Sequence, residues 1–69
     1  MEKAIASKII ESVVALNKKI GDVDLVISEM ANGKEKDHYI AALGHVIGIL
    51  SKDIILPITQ KYPDLEPYN

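Results

Sequence analysis

Apolar residues recur at alternating spacings of three and four through the first half of the chain: Ala6, Ile9, Val13, Leu16, Ile20, Val23, Ile27 and Met30. A repeat of this period keeps one face of a helix against a partner helix. It predicts a first helix over about residues 2–31, closed by Asn32-Gly33, where glycine suits the left-handed conformation that follows a helix C-terminus. Gly21, between Lys18-Lys19 and Asp22, reads as a competing break. The repeat crosses that point in phase, so one continuous helix is expected despite the ~1 kcal/mol an interior glycine costs.

A second repeat, Ile40, Leu43, Ile47, Leu50 and Ile54, runs beside another stripe of Tyr39, Ala42, Val46, Ile49 and Leu56. Together they predict a second helix over about residues 37–56, N-capped by Asp37. Pro57 either kinks it or separates off a short extension to about residue 62. Residues 63–69 hold two prolines and two acids and read as an extended tail, with docking, mobility and recognition by another protein all open to it. The short polar link between the helices suits an antiparallel hairpin over residues 1–62. The second helix is apolar almost all the way round, and one neighbour helix does not cover such a surface. The fold class expected is therefore all-α, a two-helix antiparallel hairpin dimerising into a four-helix bundle.

Ala41, Gly44, Gly48 and Ser51 form a stripe of small residues at the same alternating spacing. Two glycines inside a helix cost ~0.8–1 kcal/mol each, and close approach of another helix is the usual compensation. With Val46 and Ile49, this stripe is the expected oligomer interface.

Size points the same way. A chain of 69 residues buries only ~60% of its unfolded surface, and domains this small usually carry a staple. There is no cysteine for disulfides or a zinc cluster, so self-association remains. The net charge is −2, and all eight basic residues are lysine. Without arginine the chain lacks the bidentate fork used on phosphates and guanine edges, and no nucleic-acid partner is expected. Met1-Glu2-Lys3-Ala4 leads straight into the amphipathic repeat, unlike a secretory signal. The most apolar stretch, residues 39–50, falls short of the ~20 residues of a membrane span. A cytoplasmic protein with no membrane partner is expected.

Reactive groups do not converge. His38 and His45 are seven residues apart, about 10.5 Å along a helix, too far to share one metal ion. They read as a solvent-facing polar stripe with Lys52 and Thr59. Glu11 and Glu29 are remote from each other, and Asp22 and Asp24 do not face one another. No serine sits in a nucleophile-elbow context. The chain is accordingly expected to have no catalytic residues, cofactor, metal or small-molecule ligand. The function expected is that of a small non-enzymatic interaction or regulatory protein acting as a homodimer. An obligate small subunit or chaperone-like partner of another, unidentified protein is the alternative.

Overall fold

The computed structural model describes residues 1–68, and among them all regular structure is helical. Helix α1 spans Lys3–Ile27 and runs unbroken through Gly21. The sequence carries this helix on to Ala31, but it closes four residues earlier. The Ser28 hydroxyl donates to the Leu25 carbonyl at 2.6 Å, the acceptor that the Glu29 amide would use in a continuing helix. The Glu29 and Met30 amides turn instead to the Val26 and Ile27 carbonyls in tighter, three-residue bonds.

Helix α2 spans Lys34–Ile49 and begins one turn before the expected Asp37 cap. Gly33 takes the capping position at φ 155°, a backbone angle that side chains other than hydrogen rarely allow. The Asp37 amide donates to the Gly33 carbonyl, so Asp37 lies within the first turn. There it joins Glu35 in placing negative charge at the helix N-terminus. Lys36 ties the link down by donating to the Asn32 side-chain oxygen at 3.2 Å.

The rod continues through a π turn, Leu50–Ile55, into α3, Leu56–Lys61. Pro57 lacks an amide hydrogen and its ring crowds the carbonyl four residues back. The wider π turn immediately before it, marked by the Leu56 amide bonding Ser51, accommodates that ring without ending the rod. Leu50, Ile55 and Ile58 are buried against Ala6, Ile10, Val13 and Ile20 of α1.

The two rods lie antiparallel. The Tyr62 hydroxyl donates to the Met1 carbonyl at 2.9 Å across 61 residues of sequence, and Lys3 pairs with Asp64 at 2.5 Å. These contacts correct the extended tail: Pro63–Leu65 is a 3-10 turn, and Tyr62 and Leu65 pack against the core. Asn69 lies outside the described residues.

The hairpin is long and thin, 45 × 19 × 17 Å. Its radius of gyration is 14.5 Å, against about 11 Å for a compact chain of this length.

Candidate interaction surface

Only half of the seven-residue repeat in α1 is used inside the hairpin. Ala6, Val13, Ile20 and Ile27 are buried, joined by Ile10. The other row stays at the edge: Ile9 and, past the end of α1, Met30 are half-buried, while Leu16 and Val23 are 46% and 48% exposed. On the facing rod, none of the sixteen residues of α2 is buried. Tyr39, Ile40, Val46, Ile47 and Ile49 all stand in solvent. Two helices give each other one stripe of contact, and these helices each carry two.

Two grooves on opposite flanks of the hairpin gather many of the exposed apolar residues, while Leu25, Val26, Ile49 and Leu56 stand outside both. The first is a groove of about 560 Å³ between Asn17, Ile20 and Gly21 of α1 and Ile40, Gly44 and Ile47 of α2. Tyr68 crosses it, and its hydroxyl lies 2.5 Å from the Asn17 amide nitrogen. The Asn17 amide oxygen is buried there without a partner. Asp24 and Ser51 add polar groups to the same groove.

The second flank is a groove of about 380 Å³ lined by Ile5, Ile9, Val13 and Leu16 of α1 and by Leu50 and Ile54. Helical spacing carries the same flank onward along Val23 of α1 and along Tyr39 and Val46 of α2. Lys8 and Ser12 mark its rim. Its floor and walls are otherwise aliphatic.

All six residues singled out from sequence, Ala41, Gly44, Val46, Gly48, Ile49 and Ser51, are exposed. They do not form one face. At about 100° per residue, Val46 points to the side of the helix opposite Gly44, and Ile49 sits a quarter turn from Gly48. The glycines have nothing within 4 Å of where a Cβ would stand, so no helix of the same chain approaches them closely. His38, His45 and Lys52 occupy the outer face of the rod, exposed.

Sequence reasoning named the rows Leu16/Val23 and Tyr39/Val46 without joining them into a common flank. Docking is one of the outcomes open to the 63–69 tail, which contains Tyr68, but Asn17 is not singled out. Nothing in local spacing signals that pair, because the two residues meet only through the tail's return.

One property of the second rod exceeds the sequence estimate. Carried through the π turn and Pro57, Lys34–Lys61 is a 28-residue helix with a window of mean hydropathy 1.6. By length and composition alone that is enough to cross a membrane. No protein-family model, curated protein or solved structure matches this chain.

Proposed function

We propose that this chain is a small non-enzymatic interaction protein that works as a homodimer, two hairpins closing into a four-helix bundle. One observation carries the proposal. The hairpin exposes 5149 Å², whereas a monomeric protein of 7.6 kDa exposes about 4,300 Å². The excess of about 850 Å² is close to the ~800 Å² that each partner contributes to a standard interface. Its composition supports the same reading, because leucine, isoleucine, valine and tyrosine dominate the uncovered flanks. Dimerisation would supply the second stripe of contact that each helix is patterned for. Regulatory work would then fall to the outer surface, which carries His38, His45 and Lys52. In this reading the bundle is soluble and cytoplasmic, and the acids and lysines on the outer faces of both rods suit it to water.

The test is size-exclusion chromatography with light scattering, combined with melting at several concentrations. The expected result is twice the chain mass and a melting temperature that rises with concentration. A chain that aggregates alone but becomes soluble on co-expression with another protein would favour the obligate-subunit alternative.

A further inference from the structure

The two flanks differ in a way that selects one of them for the second copy. On the first, Tyr68 lies across the groove and engages Asn17, with Asp24 beside it. A helix seated there would displace the tail and bury a carboxylate among isoleucines. The second flank has no such cover. Ile5 and Leu16 stand exposed along a groove floored by Val13, Leu50 and Ile54. Lys8 rims this flank from α1, while Asp53 stands further round the second rod, in the outer-face hollow it shares with His45, Gly48, Ile49 and Lys52. Among the described residues neither Lys8 nor Asp53 is in an ion pair.

We infer that a second copy of this chain packs on the second flank, about a twofold axis parallel to the helices. The inference rests on the homodimer proposed above and adds its face and its symmetry. Such an axis preserves helix direction and sets α1 of each protomer beside the second rod of the other, at the same level along the bundle. The antiparallel hairpin already puts Leu16 near the level of Val46 and Val23 near that of Tyr39. Across the axis, Leu16 therefore packs on Val46 of the partner subunit, and Val23 on Tyr39 of the partner subunit. Lys8 comes level with Asp53 of the partner subunit at the outer edge of the contact, and the twofold axis makes that pair twice. A twofold axis perpendicular to the helices would instead bring α1 against α1. With that axis near the middle of α1, Lys8 would face Lys19 of the partner subunit, and like charges across an interface are unfavourable.

Sedimentation of four full-length variants, each checked for helicity by circular dichroism, tests this. Leu16→Glu is expected to abolish the dimer while retaining a helical monomer, since Leu16 is already half exposed within one chain. Lys8→Glu and Asp53→Lys are each expected to weaken the dimer about tenfold, and the double variant K8E/D53K to recover most of the loss. A wild-type chain that stays monomeric overturns the homodimer itself. A wild-type dimer that survives Leu16→Glu overturns only this face. A double variant no tighter than its parents overturns the parallel axis. If Leu16→Glu loses its helicity, the charge-swap series decides alone.

Discussion

Leu50 and Ile55 are five residues apart and both buried, at 9% and 5% exposure. In a regular α-helix a five-residue step turns the second side chain about 140° away from the first. The π turn over Leu50–Ile55 absorbs the extra residue and returns Ile55, then Ile58, to the α1-facing side. The bulge before Pro57 is thus what keeps the core continuous to the end of the rod.

A deletion tests that relationship. Removing exposed Lys52 leaves Leu50 and Ile55 four residues apart, in α register without a bulge. Made in a Pro57→Ala background, where no proline ring requires the wider turn, the deletion is expected to hold the melting temperature within a few degrees of Pro57→Ala alone. Removing exposed Ala15 from the middle of α1 rotates Ala6, Ile10 and Val13 by about 100° relative to Ile20 and Ile27. That variant is expected to lose its cooperative transition by circular dichroism. Equal damage from both deletions would count against the bulge as a register device.

The glycines give a second expectation. Nothing lies within 4 Å of a Cβ built at Gly44 or Gly48. With the proposed interface on the second flank, Gly44→Ala and Gly48→Ala are each expected to raise stability by about 0.5–1 kcal/mol through helix propensity alone. Gly33→Ala is expected to lower it by more than about 1 kcal/mol, because φ 155° strains any other side chain. Urea titrations measure all three. Dissociation of the dimer by Gly48→Ala would restore the small-residue stripe as a crossing point.

The helical character of the chain and its two apolar rows per helix were legible in the seven-residue repeats, because that period is a direct consequence of helix geometry. Other features were not. The early stop of α1 depends on one serine hydroxyl competing for a carbonyl, which outweighs the apolar pattern running on to Met30. The π turn is hidden because Ile54 and Ile55 are adjacent and alike, so the pattern satisfies either register until Ile58 and Tyr62 are placed. The small-residue stripe drew notice for its spacing, yet it straddles two surfaces: Gly44 and Ser51 line the groove the tail partly covers, while Gly48 lies beside His45 and Lys52 on the outer face. That covering requires Tyr68 to reach Asn17, a contact with no local signature.

Acid is expected to loosen the tail. The hydrogen bond from Lys3 holds the Asp64 carboxyl below its ordinary range, outweighing the opposing effect of desolvation. A depressed carboxylate stabilises the folded form above the ordinary carboxylate range, and the benefit is lost as pH falls through it. Both partners are largely exposed, so the response belongs to the tail rather than to global unfolding. Amide exchange at Leu65 and Glu66 is expected to accelerate between pH 6 and pH 3, referenced to the intrinsic rate. Lys3→Met is expected to show the faster exchange already at pH 6.

The apolar length of Lys34–Lys61 calls for a direct check of solubility. In flotation with neutral phosphatidylcholine vesicles, the full chain is expected to remain at the bottom of the gradient. Val46→Glu is expected to behave the same way while weakening the dimer. Quantitative flotation of the wild-type chain would instead make lipid the cover for this helix.

The central claim is that a second copy covers what one hairpin leaves exposed, and sedimentation equilibrium of the full chain from micromolar to millimolar concentration tests it most directly. The expected result is a reversible dimer, helical and free of higher species. A folded, helical monomer persisting to the highest concentration would contradict it.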